Sequence, residues 1–172
     1  MDRDSNRHTY LFAGIMVITI AFVLSFTSES LKELKLDNVK KEKMQNIIST
    51  VGINVSRDES EDLYNQYIIE ELSLTHNGDI DQEVNAFNIK LALEIKKDLD
   101  NQRFPLYIAN LDNTKYYIIP LRGNGLWNAI WGYIALKEDI NTIEGISFGH
   151  QAETAGLGAE ITEDWFINSF II

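Results

Sequence analysis

Residues 103–121, RFPLYIANLDNTKYYIIPL, decide the fold of this chain. Two short runs rich in β-branched and aromatic residues flank the tripeptide LDN, and this pattern predicts a β-hairpin. Downstream, LWNAIWGYIAL (126–136) and TIEGISF (142–148) are typical of two further strands, and the GNG sequence at 123–125 is typical of a tight turn before them. The sequence therefore predicts an antiparallel sheet.

Helical patterns surround these strands. In residues 30–53, apolar positions recur at helical spacing between lysines and glutamates, which predicts an amphipathic helix. Residues 81–102 predict a second helix with Asp81 as its N-cap, and residues 161–170 predict the first turns of another. The acidic, polar residues 56–81, with scattered apolar positions, predict a loop with short structure. Sheet and helices together predict an α+β domain with flanking helices.

Residues 9–28, TYLFAGIMVITIAFVLSFTS, contain no charged side chain and predict a membrane-spanning helix. A cleaved signal peptide is the alternative, but the apolar run is long and no small-x-small cleavage site follows it. Basic residues occur on both sides of the run, so the charge bias leaves its orientation open. The predicted organisation is a short tail (1–8), a transmembrane anchor (9–28), a linking amphipathic helix (29–52) and an α+β domain (53–172).

Composition excludes several classes of function. A net charge of −11 repels phosphate backbones, so nucleic acid is not an expected partner. The absence of cysteine excludes disulfides, thiolate metal sites and cysteine nucleophiles. The three histidines are far apart in the sequence, and neither a metal site nor a catalytic triad or carboxylate pair is predicted.

The sequence GHQAETAGLG (149–158) is the strongest candidate for a ligand-binding loop. Its glycines allow positive φ and close backbone approach, so successive N–H groups can converge on an anion or on the edge of a flavin. A glycine-rich turn without a ligand is the alternative, because the spacing matches neither a dinucleotide fold nor a P-loop. RGNGLW (122–127) has the same two interpretations, with Trp127 either in a cofactor wall or in the core.

The order and separation of these motifs resemble a known family. IPLRGNGLWNAIWGYIAL (119–136), INTIEGISFGHQAETAGLGAEI (140–161) and the DWF that follows are similar to the FMN-binding domain of the C subunit of the sodium-translocating NADH:quinone reductase. DNVKKEKMQNIISTVGI (37–53) resembles the linking helix of that protein. The related G subunit of the ferredoxin:NAD reductase (Rnf) complex shares the later motif, whereas RGNGLW and the linking helix favour the quinone reductase.

The resemblance implies an electron-transfer subunit that relays electrons through FMN and has no independent catalysis. The other subunits of the reductase complex, and membrane lipid around the N-terminal helix, would be its partners. The expected location is the bacterial inner membrane, with the soluble domain on the periplasmic side. The residues that match the family's flavin-binding motifs are Gly125, Trp127, Glu153, Thr154, Gly156, Leu157 and Gly158.

The family carries FMN as a phosphoester on a threonine of an SGATxT-type motif downstream of these loops. These 172 residues contain no such motif, so no acceptor threonine is predicted within them. Two explanations follow: the chain is C-terminally incomplete, or it is a flavin-free subunit that acts only as an assembly or interaction module. Ala155 stands where the family often has proline, which is a small departure from the motif.

Overall fold

The computed structural model describes residues 6–171, which form five α-helices and one five-stranded sheet. The helices are α1 (Asn6–Ser30), α2 (Lys32–Ser49), α3 (Ser60–Tyr67), α4 (Leu91–Glu94) and α5 (Asp164–Ile167). The strands are β1 (Ile68–Thr75), β2 (Arg103–Leu111), β3 (Thr114–Asn124), β4 (Ala129–Leu136) and β5 (Ile143–His150). Short 3-10 turns occupy Ala86–Asn88, Leu99–Asn101, Gly158–Thr162 and Asn168–Phe170.

Helix α1 contains 25 residues, and none of its described side chains is buried. At a rise of 1.5 Å per residue it is about 37 Å long, which exceeds the hydrocarbon thickness of a bilayer. It is long and apolar enough to cross a membrane.

The sheet is an antiparallel meander in which each strand pairs with the next one along the chain, in the order β1-β2-β3-β4-β5. The predicted hairpin is confirmed as β2 and β3, whose last pair is Leu111 with Thr114. Asp112 and Asn113 between them have φ values of 50° and 65°. A two-residue type I′ turn needs positive φ at both central positions, and Asp and Asn tolerate it well. The predicted α+β class with an antiparallel sheet is confirmed.

One face of the sheet and the second half of α2 form the core. Ile47 and Ile48 of α2 are fully buried, as are Tyr107 of β2 and Ile118 of β3. The backbone of β5 comes close to the chain just after α2 at Gly145, where a Cβ atom would overlap the carbonyl oxygen of Thr50. A glycine is therefore required where this helix end meets the sheet.

The helix predicted over residues 81–102 is wrong. This segment contains only two 3-10 turns and the four-residue α4. Asp81 does not cap a helix: its carboxylate accepts a hydrogen bond from Arg103 Nε at 2.6 Å. Asn85 caps instead, because its Oδ1 accepts from the backbone N–H of Asn88 at 3.1 Å and starts a 3-10 turn. Local side-chain bonds of this kind compete with a continuing helix.

Residues 56–81, predicted as a loop with short structure, contain α3 and β1, so regular structure there is more extensive than the prediction. Strand β1 pairs with β2 along most of its length and forms one edge of the sheet. Glu70 and Glu71 interrupt its apolar pattern, and charged side chains on an edge strand are a common protection against pairing with another chain.

Lys43 of α2 lies among aromatic side chains where α2 meets β2. Its Nζ is 4.4 Å from the centre of the Phe87 ring and donates a hydrogen bond to the Phe87 carbonyl oxygen at 2.5 Å. Burial lowers the pKa of Lys43 to about 8, although nearby Glu71 acts in the opposite direction. Burial also raises the pKa of Tyr64 and Tyr107. The stability of the domain should therefore change with pH in the alkaline range, because Lys43 and the two tyrosines titrate there.

We expect the free energy of unfolding to rise between about pH 8 and pH 10. In this window the folded Lys43 loses its proton while the unfolded lysine, with its ordinary pKa near 10.4, retains it, so deprotonation favours the folded state. Above about pH 10 the tyrosines of the unfolded chain ionise first and stability falls again. Thermal unfolding of the full chain in detergent at pH 7.5 and 9.5 measures the change.

The Lys43→Met variant provides the control, because methionine is unbranched and only one atom shorter than lysine, and it lacks the titrating group. The wild type should gain stability relative to this variant when the pH is raised from 7.5 to 9.5. An equal pH dependence for the two proteins would contradict the assignment to Lys43.

Candidate functional site

Two loops meet at the end of the sheet formed by β3, β4 and β5. The first loop joins β3 to β4 through Gly125 and Trp127, and the second follows β5. They are neighbours because the first residues of β4 pair with the last residues of β5: Ile130 lies opposite His150. The pairing continues into the second loop, where the N–H of Gln151 donates to the carbonyl oxygen of Ala129 at 3.0 Å. The sheet thus brings together the two glycine motifs that sequence analysis singled out.

Glu153 ties the two loops together. Its Oε1 accepts hydrogen bonds from the backbone N–H groups of Trp127 at 3.0 Å and Asn128 at 3.1 Å. These two bonds are the main reason that the pKa of Glu153 lies below its ordinary value, with a smaller contribution from the nearby His150. The N–H of Glu153 in turn donates to His150 Nδ1 at 3.3 Å. An ionised carboxylate therefore holds the first loop in place from the second.

The carboxylate of Glu153 explains two of the glycines. A Cβ atom at Gly125 would overlap Oε1 of Glu153, and one at Gly158 would overlap Oε2. Glycine is favoured at Gly156 for a different reason. A Cβ atom there would meet no neighbour, but the φ of +75° lies in the left-handed region that favours glycine. Its N–H donates to Oε1 of Glu160 at 2.9 Å, which closes the turn.

The predicted site residues play different parts in this arrangement. Trp127 and Leu157 expose 69% and 67% of their surface, so neither is a core residue. Thr154 is exposed, and its carbonyl oxygen accepts hydrogen bonds from the N–H groups of Leu157 and Ala159, both at 3.1 Å. The interpretation of Trp127 as a core residue is therefore wrong, and large apolar side chains are available to a flat ligand.

A cavity that the sequence does not predict lies beside the first loop. This open cavity of about 350 Å³ is lined by Trp127 together with residues of α4 and its C-terminal end and of β3. Lys96 and Arg122 contribute two cationic side chains to it. Because the local pattern around Lys96 predicts a continuous helix, the position of Lys96 beside the same cavity as the first loop is not predicted. The only signal in the sequence is the position of Arg122 directly before GNGLW.

We expect Glu153→Ala to release the first loop. The backbone amides of Trp127 and Asn128 should exchange with solvent faster, because they lose their acceptor. Gly158→Ala should have the same effect, because the added methyl group displaces the flexible end of Glu153. Amide hydrogen exchange measures both variants. The effects should not add in the double variant, because both act through one carboxylate.

Glu160→Ala is the matched control for Glu153→Ala. It removes a neighbouring carboxylate that bonds Gly156 and not the first loop. The Trp127 and Asn128 amides should exchange in this variant as they do in the wild type. Unchanged exchange of these two amides in Glu153→Ala would overturn the role given to Glu153.

Comparisons with known proteins agree on one family. Residues 125–170, which include both loops, match the FMN-binding domain family. The crystal structure of the C subunit of the Na(+)-translocating NADH-quinone reductase from Parabacteroides distasonis superposes with a TM-score of 0.76 at 37% identity, over 82% of this chain and 68% of that one. The crystal structure of NqrC from Shewanella oneidensis is similar in fold, with a TM-score of 0.64 at 21% identity over 77% of this chain and 69% of that one.

Two curated sequences extend the similarity. The C subunit of the Na(+)-translocating NADH-quinone reductase from Haemophilus ducreyi is 27% identical over 94% of this chain and 66% of its own length. The corresponding protein from Vibrio parahaemolyticus is 27% identical over 93% of this chain and 69% of its own length. The chain thus spans about two thirds of the length of these relatives.

Proposed function

Because the chain belongs to the family of the C subunits of the sodium-translocating NADH:quinone reductases, we propose that it is a membrane-anchored electron-transfer subunit that binds FMN at the two loops. The observation that carries the proposal is the FMN-binding domain match over 125–170, the segment in which Glu153 joins the loops. Its proposed partners are the other subunits of such a complex, and no catalysis outside the complex is expected.

The residues of the two loops fit an aromatic cofactor. We infer that Trp127 and Leu157, both more than half exposed, provide apolar walls for a flat ring. The backbone around Gly156 and Gly158, with the hydroxyl group of exposed Thr154, is available for polar contacts. Glu153 receives a different role from the one implied by the family resemblance: we propose that it positions Trp127 rather than contacting the flavin, because its carboxylate already bonds the first loop.

Bound FMN would supply the capacity to accept and release electrons, and the protein would supply binding, orientation and electrostatics. The ionised Glu153 keeps the Trp127 loop in one position. A preorganised wall lowers the ordering cost when a ligand binds. The proposed contacts are non-covalent and use only residues within 125–158.

We expect Trp127→Ala to weaken FMN binding about tenfold, because the ring loses an aromatic surface. The full chain in detergent is titrated with FMN, and flavin fluorescence reports binding. Trp165→Ala is the matched control, because Trp165 is exposed to a similar extent, 65%, but lies in α5 and packs its ring edge-on against Phe166. Equal FMN affinity in the two variants, or no FMN binding by the wild type, would refute the proposed function.

We further propose that α1 crosses the bacterial inner membrane once and that the domain lies on the periplasmic side. Alkaline phosphatase fused to the C-terminus reports this arrangement, because it is active only outside the cytoplasm. A second fusion, with green fluorescent protein at the C-terminus, is the complementary reporter. The expected result is an active phosphatase fusion and a green-fluorescent-protein fusion that does not fluoresce. The reverse pair of signals would place the domain in the cytoplasm.

A further inference from the structure

His150 links the end of β5 to the carboxylate that holds the first loop. It is the last residue of β5, and its Nδ1 accepts the backbone N–H of Glu153 at 3.3 Å. Oε1 of Glu153 in turn accepts the N–H groups of Trp127 at 3.0 Å and Asn128 at 3.1 Å. A continuous set of hydrogen bonds therefore joins the imidazole ring, through Glu153, to the residue that we propose as a flavin wall.

The first of these bonds fixes the protonation state of His150. A ring nitrogen accepts a hydrogen bond only when it carries no proton, so the imidazole is neutral and holds its proton on Nε2. An imidazolium carries a proton on both nitrogens and offers no acceptor. The position of the second loop therefore requires a neutral His150.

The strand residues that face His150 do not titrate. Ile130 lies opposite it on β4, and Gly123 lies opposite Ile130 on β3. Glu153 does act on His150 electrostatically, because a charged imidazole contributes to the low pKa of the Glu153 carboxyl. The segment that packs on β5 after the second loop adds three carboxylates, of which the first bonds the N–H of Gly156 and the others are exposed: Glu160, Glu163 and Asp164.

Protonation of His150 would act on the first loop in two ways. The N–H of Glu153 would lose its acceptor, and the new positive charge would attract the carboxylate that bonds Trp127 and Asn128. Glu153 itself would not change its charge between pH 7.5 and 5.5, because its pKa lies below the ordinary value of about 4.3 to 4.5. Both effects weaken the hold of the second loop on the first.

We propose that His150 is a positioning residue whose neutral form holds Glu153, and through it Trp127, in place. The first loop is released as the pH falls through the range from about 8 to 5 in which imidazole side chains gain their proton. The consequence for flavin binding rests on the proposed function, because it takes Trp127 as the wall of the flavin site. The effect of pH on the loop itself does not depend on a flavin.

The test compares two substitutions of His150 in the full chain in detergent. His150→Asn places a carboxamide oxygen where Nδ1 stands, so it keeps an acceptor that does not titrate. His150→Leu removes the acceptor. His76→Asn is the matched control, because His76 lies just after β1, outside the two loops, and contacts Asp100 at 3.6 Å. Amide hydrogen exchange without flavin, at pH 7.5 and 5.5, gives protection factors for Glu153, Trp127 and Asn128.

The wild-type protection factors should fall about tenfold from pH 7.5 to 5.5, because the protonated fraction of an ordinary imidazole rises by about that factor. His76→Asn should show the same fall. His150→Asn should keep the protection of the wild type at pH 7.5 at both pH values, and His150→Leu should lose it at both. Equal pH dependence in the wild type and His150→Asn would overturn the proposal, as would unchanged protection in the wild type.

The imidazole ¹⁵N spectrum of the wild type provides a test without a substitution. At pH 8, His150 should show the chemical shifts of the tautomer protonated on Nε2, because Nδ1 is the acceptor. The tautomer protonated on Nδ1 would contradict the positioning role.

Flavin fluorescence then connects the loop to ligand binding. The FMN affinity of the wild type should fall more between pH 7.5 and 5.5 than that of His150→Asn, and this comparison cancels the titration of the FMN phosphate. An equal fall in the two proteins would overturn the connection to the flavin. If no protein binds FMN, the proposed function is wrong, whereas the exchange and ¹⁵N measurements still decide the role of His150.

Discussion

The burial of α2 against one face of the sheet is the constraint on which the rest of the domain depends. Ile47 and Ile48 are fully buried there, and each contributes about 1.5–3 kcal/mol by leaving water. The opposing positions on β2 and β3, Tyr107 and Ile118, are fully buried as well. Because this contact fixes the sheet, it also fixes the end of β3, β4 and β5 where the two loops emerge.

The part of the fold that the sequence predicts correctly is the part with local signals. The hairpin of β2 and β3 has two β-rich runs and a turn, Asp112–Asn113, whose residue types suit positive φ. The segment 81–102 lacks such a signal. Its apolar residues do not form one helical stripe, and the chain turns where Asn85 bonds the backbone and Asp81 bonds Arg103. The long-range partner of Asp81 cannot be read from local periodicity.

In the candidate site, too, some features can be predicted from the sequence and others only from the structure. The glycine motifs are visible in the sequence. The sequence does not show why glycine is needed at Gly125 and Gly158. The cause is the carboxylate of Glu153, which is distant from Gly125 in the chain. The sequence suggests Glu153 as a flavin contact, whereas its oxygen bonds the backbone of Trp127 and Asn128. Lys96 cannot be related to the loops at all without the short elements between Ala86 and Asn101.

The order of the strands has a consequence for how the domain assembles during synthesis. From β2 onward each new strand pairs with its predecessor across a short loop, so this part of the sheet can grow one hairpin at a time, whereas residues 76–102 separate β1 from β2. The bond from Glu153 to the first loop is formed only after β5 is complete, since Glu153 follows that strand. The nascent chain can therefore bury most of its apolar surface before the two loops come together, and the loops are the last part of the sheet end to take their final positions.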